Sequence, residues 1–118
     1  MLVISSEQLA VFGQQQSLDF EARLASHLRE FFPEQCEALG EKELRELMRY
    51  GVRRAAFYGI NAERDVCKYV DLMMALGLNF DREVQWAAAI LTVHQLKSPG
   101  YRIERLCEEA IAALGEGG

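Results

Sequence analysis

The chain has few cysteines, few prolines, no excess of basic residues and no long apolar run, and each shortage excludes a class of protein. Cys36, Cys67 and Cys107 are an odd number, far apart and without a CxxC pair. They do not form a disulfide framework and indicate a reducing compartment. The two prolines suit long helices. No stretch approaches the roughly 20 apolar residues that a membrane span needs.

The charge balance is acidic, with a formal net charge of -5. Residues 1–40 contribute six acids and two bases (-4), and residues 71–118 contribute seven acids and four bases (-3). Residues 41–70 have five acids and seven bases (+2). This balance opposes general binding to nucleic acid, which needs a basic surface. The basic centre can orient a partner, although helix surfaces with paired charges are the simpler interpretation.

The length and the N-terminus predict a single cytoplasmic domain. A chain of 118 residues is long enough for one hydrophobic core and too short for two. The opening "MLVISSEQLAVF" has neither a basic region nor a long apolar run, so no signal peptide is predicted. We expect one helical domain over residues 1–114 and a flexible tail over residues 115–118.

Apolar periodicity predicts an all-α protein, a compact bundle of five to six helices. Gly51 lies in the middle of a predicted helix, which a close helix crossing would explain. Met73 and Met74 are expected to pack in the core rather than to line a groove. The first predicted helix begins at Ser5 or Ser6, has an inward stripe at Leu9, Phe12, Phe20, Leu24, Leu28 and Phe31, and ends at Pro33. A turn over 33–40, which Gly40 ends, and helices over 41–58, 62–76 and 82–96 follow, with Gly77 closing the second of these and Asp81 capping the third. The last predicted helix covers 101–114, with inward Ile103, Leu106, Ala110, Ile111 and Leu114.

The stretch "YGINAERDV", residues 58–66, is read as a corner between two helices rather than as a site. Gly59 fits the left-handed position that ends a helix, and Ile60 supplies the accompanying hydrophobic contact. Asn61 is expected to cap the next helix, whose first turn contains acidic residues. Arg64 is expected to point away from the apolar stripe of that helix and to pair with an acid or with one carboxylate of a partner. The stripe consists of Val66, Tyr69, Val70 and Met73.

Arginines spaced four residues apart form the strongest polar pattern, because they project from one side of the second helix. Arginine forks and tyrosines are typical anchors of protein interfaces. The candidate partner-binding residues are Arg45, Arg49, Tyr50, Arg53, Arg54 and Arg64. Glu41 and Glu46 can pair with Arg45 and Arg49, so a solvated helix surface is the other interpretation and is the one favoured.

No catalytic, metal or cofactor site is predicted. His27 and His94 lie in different helices without neighbouring ligands, whereas zinc needs about four convergent ones. A Cys–His enzyme would have to combine Cys67 or Cys107 with His94. A helical DNA-binding module would read bases with Arg64 and Lys68, against the acidic charge of the chain. Both are weaker than a protein-binding role.

Residues 49–81 carry a family resemblance through "RxGVxRAxxYGI", "ERDVxxYxDLM" and "LGxNFD". The later "WAAAIL", the opening "ISSEQLAVF" and "LREFFPEQCEALGEKELRELMRYG" extend it over about residues 3 to 92. The sequence resembles a small helical family of Gram-negative bacteria, encoded near type VI secretion spike and effector genes. The resemblance implies an adaptor or chaperone-like protein that binds an effector or spike protein. The alternative is a cytoplasmic immunity protein that neutralises a toxin, and the resemblance implies no catalytic residue.

Overall fold

The computed structural model describes the backbone of residues 6–93 and 97–117, and the side chains of residues 19–92 and 97–115. Over these ranges the protein is all-α and contains no strand, which confirms the predicted class and number of helices. None of the described helices combines the length and apolar composition needed to cross a membrane. The helices are α1 (Ser6–Phe31), α2 (Pro33–Phe57), α3 (Glu63–Leu76), α4 (Phe80–Glu83), α5 (Gln85–Val93) and α6 (Pro99–Gly117).

The contacts divide the chain into two units, residues 1–45 and 46–118. The first unit contains α1 and the beginning of α2. Leu24 and Leu28 are buried as predicted, whereas Phe31 is exposed, so the inward stripe ends one turn earlier than predicted. The predicted positions Leu9 and Phe12 lie outside the residues whose side chains the structure describes. The prediction of one domain over residues 1–114 stays a prediction.

The segment from Pro33 to Gly40 is helical rather than a turn, which corrects the prediction. Pro33 takes the first helical position, where its missing N–H costs nothing, and Glu34 lies in the first turn, where the helix dipole favours a carboxylate. Gly40 interrupts α2 with φ 83° and ψ 166°, a conformation that glycine adopts most readily. The predicted stop at Gly40 is therefore correct, and the helix resumes directly after it.

In the second unit α2 crosses α3 closely at Gly51. A Cβ atom built on Gly51 would lie 2.8 Å from Met73 Sδ and 2.8 Å from Val70 Cγ2. The predicted explanation for a mid-helix glycine is therefore confirmed. Val66, Tyr69, Val70 and Met73 are all buried, as the apolar stripe of α3 predicts, and Met74 is buried as well.

The corner between α2 and α3 has the backbone hydrogen bonds of a Schellman motif. Gly59 has φ 78°, its N–H donates to Ala56 O over 2.9 Å, and the Ile60 N–H donates to Ala55 O over 2.9 Å. Ile60 is fully buried, so the predicted hydrophobic contact forms. The predicted Asn61 cap is wrong. Ala62 occupies the N-cap position, and the Asn61 side chain donates to Gly59 O instead.

The predicted helix over 82–96 is divided in two, and Asp81 does not cap it. Val84 has extended backbone (φ -91°, ψ 113°), which separates α4 from α5. Asp81 lies inside α4 and is buried, because its carboxylate binds side chains of α2. Asn79 holds the N-cap position of α4 without a side-chain capping bond.

Helix α6 packs against α3 and α5 through Ile103, Leu106 and Ala110, which are buried as predicted. Ile111 and Leu114 were expected on the same inward stripe, but both are exposed, because the buried part of the helix ends at Ala110. The helix continues through Gly117, so residues 115–117 are helical rather than an irregular tail.

Candidate protein-interaction surface

A buried carboxylate lies at the centre of the most developed polar contacts in the second unit. Asp81 is 1% exposed. Its Oδ2 accepts from Arg54 Nη2 over 2.6 Å, from Arg54 Nε over 3.1 Å and from the Tyr58 hydroxyl over 2.8 Å. We call Arg54, Tyr58 and Asp81 the Asp81 cluster. Arg54 lies in the last turn of α2 and Tyr58 directly follows the helix, four residues later, so both reach the same carboxylate.

The electrostatics of the Asp81 cluster keep its donors protonated. Burial, reinforced by the hydrogen bond and the charge of Asp81, raises the pKa of Tyr58 above its usual value. The hydrogen bond to Asp81 also raises the pKa of Arg54. At neutral pH a guanidinium and a neutral phenol therefore face Asp81 Oδ2, whereas the buried Oδ1 has no hydrogen-bond partner among the described residues.

A second set of contacts continues the Asp81 cluster along α2 toward solvent. The Tyr50 hydroxyl donates to Asn79 Oδ1 over 2.8 Å. Arg82 Nη2 donates to the Tyr50 hydroxyl over 2.7 Å and to Asn79 Oδ1 over 2.6 Å. Arg82 Nε also lies 3.8 Å from Asp81 Oδ1. We call Tyr50, Asn79 and Arg82 the Tyr50 cluster, and it fixes an exposed guanidinium beside α2.

Phe57, the last residue of α2, is 71% exposed, although phenylalanine is among the residues most often buried. Its ring lies 4.7 Å from the Arg54 guanidinium carbon, and the Tyr58 ring meets it edge-on with centroids 5.1 Å apart. Arg54 is itself held by Asp81. An exposed aromatic ring thus contacts the guanidinium of a partly buried ion pair.

The structure separates the six residues proposed from the sequence. Arg54 donates to Asp81 and Tyr50 donates to Asn79, so the polar groups of both side chains are engaged within the second unit. Arg45 lies in the first unit, 3.7 Å from Glu41, as the predicted pairing requires. Arg49, Arg53 and Arg64 are exposed, and Arg64 lies at the start of α3. The expectation that Arg64 points away from the apolar stripe is confirmed.

Three residues of this region were missed by sequence reasoning: Phe57, Asn79 and Arg82. Phe57 follows Arg53 by four and Arg54 by three, so its helical spacing could have suggested that it shares their side of α2. The contacts of Asn79 and Arg82 with Tyr50 join residues 29 and 32 positions apart. No local pattern in a single sequence reports pairings of that separation.

Tyr69 supplies a test of the electrostatics. Its hydroxyl is buried and, among the described residues, has no hydrogen-bond partner; burial raises its pKa well above the usual value. The pKa values of Tyr58 and Tyr69 are higher in the folded than in the unfolded chain. Their contribution to the free energy of unfolding is therefore fully present below about pH 10 and is lost as the pH rises further. Tyr69→Phe should leave stability at pH 7 unchanged or raise it by up to about 1 kcal/mol. Urea unfolding should also show that Tyr69→Phe loses less free energy of unfolding than the wild type between pH 8 and 11. An unchanged alkaline loss in Tyr69→Phe would contradict this assignment.

The cysteines bear on the alternative of a Cys–His enzyme. Burial raises the pKa of Cys67 to about 11, with Asp71 adding to the shift, and burial also raises the pKa of Cys107. A thiol of high pKa is a poor nucleophile at neutral pH because little thiolate is present. His94, the proposed base, lies outside the described residues.

We predict that Cys67 reacts slowly with a thiol-reactive disulfide reagent at pH 8. In a variant with Cys36 and Cys107 replaced by alanine, the folded chain should react at least about tenfold more slowly than the same chain in urea. The smaller thiolate fraction outweighs the greater nucleophilicity of a high-pKa thiolate. Faster reaction in the folded chain would revive the Cys–His hypothesis.

No protein-family model matches the chain, and searches of curated proteins and of solved structures also return no match.

Proposed function

We propose that this protein is a non-catalytic, cytoplasmic interaction module, an adaptor or chaperone-like accessory protein that binds a type VI secretion effector or spike protein. The secretion context rests on the family resemblance of residues 49–81. The interaction role rests on one observation: Phe57 is exposed, yet Arg54 and Tyr58 hold its ring in place. Fixed aromatic and arginine side chains are typical anchors of protein interfaces, since little entropy is lost when a partner covers them.

The Asp81 cluster is better suited to supporting the Phe57 ring than to catalysis. Asp81 has a fully buried side chain, and three donors already occupy its Oδ2. A general base has to reach a substrate proton within hydrogen-bond distance, which this enclosed carboxylate does not offer. The raised pKa values of Cys67 and Cys107 likewise disfavour nucleophilic catalysis.

The direct test is co-purification with the products of the neighbouring genes. The tagged full chain is co-expressed with each neighbouring secretion protein, and retention is measured at micromolar concentration. We expect one effector or spike protein to be retained in a defined stoichiometry. Retention of none of them would refute the adaptor role.

An immunity protein is the second candidate, because acidic inhibitors often cover basic active sites and both ends of this chain are acidic. Co-expression separates the two roles. An immunity protein rescues growth of cells that express the toxin in the cytoplasm, whereas an adaptor changes only delivery of the effector. Rescue of growth without any effect on delivery would favour the immunity role.

A further inference from the structure

We propose that the partner binds through an acidic segment with an apolar side chain, and that it docks on a surface made by Tyr50, Arg53, Phe57 and Arg82. We call these four residues the Phe57 surface. The proposal rests on the protein-binding role proposed above and assigns that role a location and a partner chemistry. Arg82 and Phe57 were not among the candidates that the sequence suggested.

The Phe57 surface is continuous along one side of α2. Tyr50, Arg53 and Phe57 follow one another at helical spacings of three and four, so they are neighbours on the helix surface. Phe57 follows Tyr50 by seven positions, which corresponds to about 10 Å along the helix axis. Arg82 joins the Tyr50 end through its hydrogen bond to the Tyr50 hydroxyl.

The charge of this surface opposes the charge of the chain. Arg53 and Arg82 are exposed, whereas Asp81 is buried and neutralised by Arg54. Counting Arg53, Arg54 and Arg82 against Asp81 and Glu83 gives a local charge of +1, in a chain whose net charge is -5. Carboxylates are the complementary groups, because a guanidinium presents its N–H donors in a fork that matches their two oxygens.

The exposed ring of Phe57 specifies the other half of the partner. A bare ring in water gains free energy when it is covered by an apolar side chain, at about 25 cal/mol per Å² of apolar area removed from water. The Asp81 cluster reduces the entropy cost of that step because it already holds the ring through Arg54. Nucleic acid is the less suitable ligand, since the chain is acidic overall and the phosphate backbone offers no apolar side chain to cover Phe57.

The test uses the full chain and four single variants. Phe57→Ala and Arg53→Glu alter the Phe57 surface at exposed side chains, so both should fold. Ile111→Ala is the matched control for Phe57→Ala, because Ile111 is 72% exposed on α6 and loses a comparable apolar group. Lys97→Glu is the control for Arg53→Glu, because it changes the net charge equally at another exposed position. Circular dichroism verifies that each variant is folded.

The chemical probes are a labelled amphipathic peptide of glutamate and leucine, the same peptide with lysine in place of glutamate, and a single-stranded DNA oligonucleotide. Fluorescence anisotropy at low salt should show that the glutamate peptide binds and that the lysine peptide does not. Phe57→Ala and Arg53→Glu should each weaken binding by about tenfold or more, and the two controls by less than about twofold. Preference for DNA, no binding of the glutamate peptide, or equal weakening by the controls overturns the proposal.

The same variants in the co-purification experiment separate the two proposals. If the wild-type chain retains a neighbouring secretion protein and Phe57→Ala loses it, both proposals are supported. If both chains retain that protein equally, the adaptor role stands and the Phe57 surface is overturned. If binding of the glutamate peptide depends on Phe57 but no secretion protein is retained, the surface stands and the adaptor role is refuted.

Discussion

Replacing Arg54 by alanine is expected to lower the free energy of unfolding by about 3–5 kcal/mol. Arg54 makes two of the three hydrogen bonds to Asp81 Oδ2, and the Asp81 side chain is fully buried. Without the guanidinium, a carboxylate remains buried with only the Tyr58 hydroxyl as a close donor. Urea unfolding at pH 7, followed by circular dichroism, measures the loss.

The adjacent Arg53→Ala provides the control, because Arg53 is exposed and its replacement should change stability by no more than about 0.5 kcal/mol. The double variant Arg54→Met with Asp81→Leu removes both charges together and should recover most of the loss. Equal effects of Arg54→Ala and Arg53→Ala would show that the Asp81 cluster contributes nothing to stability.

The helices could be predicted from the sequence because their signals are local. Apolar spacing placed Leu24, Leu28, Val66, Tyr69 and Leu106 in buried positions, and all five are buried. Glycines marked three breaks, at positions 40, 59 and 77, and each has positive φ. Positive φ is costly for any residue with a Cβ, so a glycine that follows the last residue of an apolar stripe indicates a helix end, unlike Gly51 in the middle of α2.

The polar contacts could not be predicted because they depend on tertiary structure. An aspartate shortly before an apolar run resembles an N-cap, and local chemistry favours that interpretation of Asp81. The structure places Arg54 at the end of α2, and Tyr58 just after it, against Asp81, so the carboxylate makes three hydrogen bonds there instead of a capping bond. The break between α4 and α5 could not be predicted either, because no glycine or proline marks the extended backbone at Val84.

The arginine stripe illustrates the same limit for the candidate site. Helical spacing placed Arg49 and Arg53 on one side of α2 with Arg54 adjacent, but it could not distinguish an exposed arginine from one bound internally. Arg54 differs from Arg53 only in facing Asp81, whose position is set by α4. The structure therefore changes the role of Arg54 from partner contact to support for Phe57.

Gly51→Leu should destabilise the second unit by about 3 kcal/mol, the upper range for overpacking a core. Even the first added carbon would lie 2.8 Å from Val70 Cγ2 and 2.8 Å from Met73 Sδ, well inside van der Waals contact. Met73 can move the end of its flexible side chain, but Val70 is short and attached directly to the α3 backbone. The larger side chain thus has to separate α2 from α3.

Gly115→Leu is the matched control for that prediction, because Gly115 is also helical and a Cβ there meets no atom within 4 Å among the described residues. Leucine has a higher helix propensity than glycine, so Gly115→Leu should leave the free energy of unfolding unchanged or raise it by less than about 1 kcal/mol. Urea unfolding of both variants and the wild type separates the cost of overpacking the α2–α3 crossing from the gain in helix propensity. If Gly51→Leu proves as stable as Gly115→Leu, α2 and α3 do not cross as closely in solution, and the packing that sets the position of Arg54 has to be revised.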